Sequence, residues 1–208
     1  MVYKITVVGI GPGSPDYLTP VAKRAIDGAR VLVGSARALP VFKPAECETK
    51  IIDKDLAGVI TFISSKLAES DVVVMVSGDP GFYSLLAALK EQFPSDIIKV
   101  IPGISSMQLA FARLGFNWQD AEIFSLHGRD PGETDLAYRP QRKIAFLTDG
   151  QYYPGRIAQR LQANGWPKTT DIWLCSDLSY ENEQILQLNL SEAAGLSGFE
   201  YCVMVVVG

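Results

Sequence analysis

Three glycine-containing turns, each following an apolar run, are the residues of this sequence best suited to binding a ligand. They are GIGPGSP at 9–15, SGDPG at 77–81 and PGISS at 102–106. The apolar runs before them are predicted strands, and in an open α/β sheet ligands bind beyond the carboxyl ends of the strands. We therefore expect the three turns to converge on one cleft.

The first turn does not fit a dinucleotide-binding fingerprint. Its glycines, Gly9, Gly11 and Gly13, follow G-x-G-x-G instead of G-x-G-x-x-G, and the second predicted strand ends in Val-Gly-Ser at 33–35, without the carboxylate that binds a ribose. The sequence also contains no Gly-Lys-Ser/Thr of a P-loop. A nicotinamide dinucleotide and a P-loop nucleotide are both disfavoured.

The residues inside the turns favour a ligand without phosphate. Pro12 and Pro15 remove two N–H donors, whereas a phosphate-binding loop needs many. Asp79 would repel phosphate but suits a ribose hydroxyl or a cation. S-adenosylmethionine is a nucleoside with a positive centre and no phosphate. Asp79 could instead be a turn former before proline, and Ser105 or Ser106 a helix cap.

The elements that must position these turns alternate in the order β-α-β-α, which predicts an α/β fold with a mainly parallel sheet in the first half. The second half has a more mixed pattern, and we expect the strands at 183–188 and 200–207 to pair antiparallel. We predict two domains, 1–115 and 116–208. The predicted strands are 4–8, 31–33, 71–76, 97–101, 122–126, 143–147, 171–175, 183–188 and 200–207. The predicted helices are 20–29, capped by Thr19, and 56–68, 82–93, 105–114 and 154–164.

Composition excludes several function classes. Among 208 residues, with a net charge of −4, the basic and acidic side chains are mixed, so no nucleic-acid footprint is present. The apolar runs are too short to span a bilayer, the start lacks a signal peptide, and three dispersed cysteines indicate reduced thiols in the cytoplasm. With a single histidine and no cysteine cluster, we expect no metal site.

The order of the motifs resembles the tetrapyrrole methylases, S-adenosylmethionine-dependent enzymes of cobalamin and sirohaem synthesis. V-x-G-x-G-P-G-x-x-x-x-L-T near the start, then S-G-D-P, then a strand and P-G-I-S-S carry the resemblance, which covers nearly all of the chain. In the second half, SLHGR at 125–129 and LTDG at 147–150 resemble the branch that acts on precorrin-6Y and cobalt-precorrin-7.

The resemblance implies methylation of carbon 5 of precorrin-7 or its cobalt form, with S-adenosylhomocysteine as product. It also implies two α/β domains, a parallel N-terminal and a mixed C-terminal sheet with the active cleft between them, and a homodimer. A separate C(15)-methylating decarboxylase is a candidate partner. The residues implied to bind the cofactor are Gly11, Pro12, Gly78, Asp79, Tyr83, Ser105, Ser106, Leu147 and Thr148, and those of the first turn implied to face the tetrapyrrole are Gly13, Ser14 and Pro15.

Methyl transfer to an electron-rich ring carbon needs no nucleophilic side chain, and positioning can supply much of the rate. His127 and Asp149 are candidate bases for a later proton loss. Arg129, Arg37 and Arg139, in that order, are candidates to bind the ring's carboxylates.

Three alternative functions stay open. They are methylation of another ring carbon by a sibling enzyme, methylation of a protein side chain by a related fold, and nucleotide sensing without catalysis. The role of the pair Tyr152-Tyr153 also stays open between lining a ring-binding surface and covering the start of a helix.

Overall fold

The chain folds into two α/β units. The structure is a computed structural model that describes residues 3–126 and 130–208. The compact units are Met1–Ser105 and Ser106–Gly208, and each is built around one five-stranded sheet. The domain boundary predicted after residue 115 stays a prediction.

The first unit alternates strands and helices. Its elements are β1 (Ile5–Gly9), α1 (Pro20–Asp27), β2 (Val31–Gly34), α2 (Ala38–Phe42), β3 (Glu48–Ile51), α3 (Leu56–Lys66), β4 (Val72–Val76), α4 (Leu86–Gln92) and β5 (Ile98–Ile101). The strand order is β3-β2-β4-β1-β5, and all four pairings are parallel. The parallel sheet that the sequence predicts is confirmed, and all its carboxyl ends lie at one edge.

Helices cover both faces of this sheet. Ile26 of α1 and Leu39 of α2 belong to the core on one face, and Ile63 of α3 and Leu89 of α4 to the core on the other. Since both faces are covered, every residue of the central strand Val72–Val76 is buried, which explains its continuous apolar sequence.

Helix α4 begins later than its sequence predicts. The amphipathic pattern starts at Phe82, but the helix begins at Leu86. The Ser84 hydroxyl donates to the Pro80 carbonyl (2.5 Å) and accepts from the Leu86 amide (3.1 Å), so this serine stabilises the turn before the helix.

The second unit has a mixed sheet, as predicted. Its elements are α5 (Ser106–Leu114), β6 (Ala121–Ser125), α6 (Glu133–Leu136), β7 (Lys143–Leu147), α7 (Pro154–Ala163), β8 (Asp171–Ser176), β9 (Gln184–Asn189), α8 (Leu190–Ala193) and β10 (Cys202–Val207). The strand order is β6-β7-β10-β8-β9, with β6 and β7 parallel and the other pairings antiparallel.

The predicted pairing of the last two strands is wrong. β8 lies between β9 and β10 and pairs with both, so that Ser176 faces Gln184 on one side and Cys202 on the other. A short connection joins β8 to β9, and consecutive antiparallel strands joined in this way form a hairpin. β10 returns through α8 and enters between β7 and β8.

One face of the mixed sheet carries the core of the second unit. Ile157 and Leu161 of α7 and Leu190 of α8 pack there against Phe146 and Met204. This packing holds α7 against the sheet. The segment that joins β7 to α7 contains Thr148, Asp149 and Gly150 of the LTDG motif, and it is thus anchored at both ends.

Candidate functional site

The three glycine turns come together at the carboxyl edge of the first sheet. They follow β1, β4 and β5, which are neighbours in the order β4-β1-β5. Gly11 and Gly78 form an isolated antiparallel bridge, in which the Gly78 amide donates to the Gly11 carbonyl (2.8 Å) and the Gly11 amide to the Gly78 carbonyl (3.4 Å). The convergence predicted from sequence is confirmed for the backbone of these turns.

The turns approach so closely that side chains are excluded. A Cβ at Gly9 would stand 2.6 Å from both the Gly103 nitrogen and the Gly78 oxygen, and a Cβ at Gly103 would overlap the same oxygen. Gly78 also has a φ of +69°, in the left-handed region that glycine adopts without strain. At Gly9 and Gly103 the backbones of the turns are therefore in direct contact.

Asp79 joins the second turn to the third. Its Oδ1 accepts a hydrogen bond from the Gly81 amide (2.8 Å), and its Oδ2 accepts one from the Gly103 amide (3.0 Å). The carboxylate is thus a structural bridge, which gives weight to the turn-forming alternative, although each oxygen can accept a further bond.

Five backbone amides of this edge are used within the protein. The Ile10 amide donates to the Val76 carbonyl (3.0 Å), and the amides of Gly11, Gly78, Gly81 and Gly103 donate to the partners given above. A phosphate site needs several amides that point at the ligand. Their use here fits a ligand without phosphate, so the chemistry of the edge is compatible with S-adenosylmethionine.

The rest of the first turn forms a compact connection to α1. The Ser14 hydroxyl accepts from the Asp16 amide (3.2 Å) at the start of a short 3-10 turn, Pro15–Tyr17. The Thr19 hydroxyl then accepts from the Ala22 amide, so the predicted cap of α1 is confirmed. Pro12, Gly13 and Ser14 are half-buried beside this edge.

The other predicted residues of the first unit lie in segments that follow β2, β4 and β5. Tyr83 is half-exposed with a φ of +50°, and Ser105 is buried with its Cα 3.3 Å from the position of a Cβ at Gly78. Arg37 is exposed just after β2, at the start of α2. Ser106 is the first residue of α5, in the second unit.

In the second unit, the predicted residues after β7 are held by side-chain hydrogen bonds. The buried Thr148 hydroxyl donates to the carbonyls of Glu200 (2.9 Å) or Cys202 (3.1 Å) and accepts from the Cys202 amide (2.8 Å). The hydroxyl proton and the backbone amide of Thr148 both bind the start of β10, so a hydrogen bond from a cofactor would be accepted by the Thr148 carbonyl or by the remaining lone pair of its hydroxyl.

Asp149 holds the start of α7. Its Oδ1 accepts from the amides of Gln151 (2.9 Å) and Tyr152 (2.6 Å). Tyr152 itself is buried in the core, which favours the helix-covering alternative for this tyrosine. A role for Asp149 as a base stays a prediction.

His127 and Arg129 lie outside the described residues. The segment that follows them is fixed by Arg160 of α7, whose Nη1 donates to the Asp130 carboxylate (2.5 Å) and whose Nη2 donates to the Glu133 carboxylate (2.7 Å). Hydrogen bonding from Arg160 lowers the pKa of Asp130, and hydrogen bonds from Asn164 and then Arg160 lower that of Glu133.

Arg139 is not brought to the LTDG segment. It is exposed and lies 3.6 Å from Glu122, which faces Ile144 near the amino end of β7. Leu147 is about 10 Å further along that strand. The buried Arg142 also binds Glu122, at 2.6 Å. The position of Arg139 therefore gives no support to its predicted contact with the substrate.

The turn after β8 contains features that sequence reasoning missed. Asp177 (φ +48°) and Ser179 (φ +76°) both have left-handed backbones, which for residues other than glycine cost about 1–3 kcal/mol each. The residue that holds the turn, Glu183, is bound by Arg113, 70 positions earlier in the chain. No local signal links residues that far apart.

Among residues 3–126 and 130–208, no three histidine, cysteine, aspartate or glutamate side chains are arranged to hold a metal ion. No helix in the same ranges has the length and apolar character needed to cross a membrane.

Comparisons with known proteins agree with this geometry. Residues 4–194 match the family described as Tetrapyrrole (Corrin/Porphyrin) Methylases. The chain is 33% identical over 207 residues to the probable cobalt-precorrin-7 C(5)-methyltransferase of Methanocaldococcus jannaschii, covering 97% of this chain and 96% of that protein. It is 34% identical over 187 residues to the cobalt-precorrin-7 C(5)-methyltransferase of Salmonella typhimurium, covering 90% and 91%.

Solved structures share the fold. A precorrin-6Y methylase of cobalamin biosynthesis from Archaeoglobus fulgidus is 28% identical, with a TM-score of 0.73 and coverage of 98% of this chain and 97% of that one. A uroporphyrin-III C-methyltransferase from Thermus thermophilus, solved with S-adenosylhomocysteine, is 19% identical, with a TM-score of 0.77 and coverage of 98% and 91%. At that identity the second likeness concerns the fold alone.

Proposed function

This chain belongs to the tetrapyrrole (corrin/porphyrin) methylases, and from that membership we propose that it transfers a methyl group from S-adenosylmethionine to carbon 5 of cobalt-precorrin-7. Two relatives that match over at least 90% of this chain carry that activity in their names. The reaction belongs to cobalamin biosynthesis.

The observation that carries the choice of cofactor is the use of the turn amides. Five amides at the carboxyl edge of the first sheet donate to protein acceptors, and this leaves a backbone surface suited to a nucleoside without phosphate. We propose that Gly78, Asp79 and Ser105 contact the cofactor there. A solved structure of the same fold contains S-adenosylhomocysteine.

The protein's part in the chemistry is positioning. Bound S-adenosylmethionine supplies an electrophilic methyl group, and the ring carbon supplies the electrons. The turns fix the ligand in a rigid backbone frame, because Asp79 ties the second turn to the third and the Gly11–Gly78 bridge ties the first to the second. Orientation of this kind can contribute about 7–11 kcal/mol of barrier reduction.

The substrate's carboxylates require cations. We propose that Arg37, exposed beside the first edge, binds one of them, and that Arg129 binds another. Gly13, Ser14 and Pro15 are proposed to contact the tetrapyrrole, and Leu147 and Thr148 the cofactor. We further propose a cytoplasmic homodimer. One relative, from a Sinorhizobium species, is named as both a C(5)- and a C(15)-methyltransferase, which supports a separate C(15)-methylating decarboxylase as partner.

Calorimetric titration and product mass test this function. We expect the protein to bind S-adenosylhomocysteine and to add one methyl group to cobalt-precorrin-7 in the presence of S-adenosylmethionine. Arg129→Ala is expected to retain the affinity for S-adenosylhomocysteine and lose turnover. Failure of the wild-type protein to bind either S-adenosyl compound would exclude methyl transfer from this cofactor.

A further inference from the structure

A third segment leaves the second sheet at the same edge as Leu147. β10 pairs with β7 on one side and with β8 on the other, so Leu147 faces Val203 and Ser176 faces Cys202. The carboxyl ends of β7 and β8 and the start of β10 therefore share one edge. The strained turn that begins at Asp177 lies there.

Glu183 fixes the shape of this turn. Its Oε2 accepts from the Ser179 amide (2.8 Å), and its two carboxylate oxygens accept from Arg113 Nε (2.6 Å) and Nη2 (3.3 Å). The Tyr180 amide donates to the Asp177 carbonyl (3.0 Å). Since left-handed backbones persist only where their surroundings hold them, this carboxylate and its arginine maintain the conformation that places Tyr180.

Two tyrosine rings are exposed at this edge. Tyr180 is 44% exposed in the turn and Tyr201 is 73% exposed just before β10. The Tyr201 hydroxyl lies 3.9 Å from the position that a Cβ at Gly150 would take, so this ring lies beside the LTDG segment. Because Cys202 pairs with Ser176, Tyr201 and the turn leave the sheet side by side.

We propose that Tyr180 and Tyr201 form an aromatic contact surface for one face of the tetrapyrrole, and that Glu183 and Arg113 are the positioning pair for the turn that carries Tyr180. The inference rests on the proposed function, which supplies a ligand with a broad conjugated face. Aromatic rings stack favourably on such a face, and the stacking removes their apolar surface from water.

The aromatic surface is tested by titrating the protein with cobalt-precorrin-7 in the presence of S-adenosylhomocysteine. Binding is monitored by the absorption of the ring. We expect Tyr180→Ala and Tyr201→Ala each to raise the Kd for cobalt-precorrin-7 about fivefold, as loss of one aromatic contact predicts. The matched control is Trp118→Ala, since Trp118 is 48% exposed beside the amino end of β6, at the opposite edge of the same sheet. The control should bind like wild type.

The two proposals fail in different ways. Tyrosine variants that bind cobalt-precorrin-7 as tightly as the Trp118 control would overturn the aromatic surface. A wild-type protein that binds the ring with the expected differences among variants, yet adds no methyl group, would overturn the proposed function and leave the surface supported. Tyr→Phe variants should bind like wild type, because the ring and not the hydroxyl makes the contact.

The positioning role of Glu183 is tested by rescue. Glu183→Ala should raise the Kd for cobalt-precorrin-7 severalfold while leaving that for S-adenosylhomocysteine unchanged, and Glu181→Ala, at an exposed carboxylate in the same turn, should change neither. Adding Ser179→Gly should restore ring affinity, because glycine adopts the left-handed backbone without help. An unchanged affinity in Glu183→Ala, or no recovery with glycine, would overturn the role.

Discussion

Different chemical groups form the first sheet's edge, which carries the glycine turns, and the edge of the second sheet at which β7 and β8 end. In the first unit, glycine backbone and one carboxylate form the edge, and no room is left for side chains at Gly9 or Gly103. In the second unit, buried and half-buried side chains such as Thr148 and Glu183 hold the segments that leave the sheet. Adding atoms at the first edge should therefore lower the stability of the protein. At the second edge, removing hydrogen-bonding groups should have that effect.

Gly9→Ala tests the first half of this comparison with the largest expected effect. The new methyl group would lie about 2.6 Å from two backbone atoms that cannot rotate away, so we expect a loss of about 3 kcal/mol in unfolding free energy. Urea denaturation measures it. Gly28→Ala, where the nearest atom is 3.4 Å away and φ is −89°, is the matched control in the same unit. Equal stability of the two variants would contradict a backbone-built edge.

Thr148→Val tests the second edge. The variant keeps the shape of the side chain but leaves the Cys202 amide without its acceptor, which should cost about 2 kcal/mol. Thermal unfolding should show a clear drop for valine and little change for Thr148→Ser, which keeps the hydroxyl. If serine and valine destabilise alike, the hydrogen bonds at this position do not hold β10.

Asp79→Asn sharpens the comparison, because the Asp79 side chain joins two turns of the first edge. Asparagine offers one oxygen where the carboxylate binds two amides, so we expect about 1 kcal/mol of lost stability together with weaker binding of S-adenosylhomocysteine. Calorimetry and urea denaturation on the same sample separate the two effects. Weaker binding without any loss of stability would mean that the bridge to Gly103 is not structural.

The pH dependence of stability gives a smaller effect in the second unit. Hydrogen bonding from Arg142 holds the pKa of Glu122 below its ordinary value of 4.5. A carboxyl whose pKa is lowered by folding adds stability that is complete above the ordinary value and is lost as pH falls through the lowered one. The unfolding free energy, measured by urea denaturation between pH 7 and pH 3, should therefore fall less steeply for Glu122→Gln than for wild type. An equally steep fall in both proteins would contradict the Glu122–Arg142 interaction.

Sequence patterns predicted the parts of the fold that depend on local periodicity. The parallel first sheet, its apolar central strand and the cap at Thr19 follow from residues close together in the chain. The short β3, whose residues are mostly exposed, carries no such pattern and was missed. The order of β9, β8 and β10 depends on long-range pairing that strand patterns alone do not encode.

For the site as well, the sequence predicted the local features and missed the long-range contacts. Glycine and proline spacing located the three turns, because backbone conformation restricts which residues occur there. It did not reveal that Asp79 binds the Gly103 amide, nor that Glu183 binds Arg113, since these pairs are separated by 24 and 70 positions. Interactions of that range exist only once the sheets are formed.

The position of the transferred methyl group tests the proposed function most directly. Cobalt-precorrin-7 would be incubated with the protein and S-adenosylmethionine carrying a ¹³C-labelled methyl group, and the product examined by carbon NMR. We predict one labelled methyl signal, whose protons show a long-range proton–carbon correlation to carbon 5 of the ring. A label on any other ring carbon, or an unlabelled ring after complete incubation, would contradict the assignment.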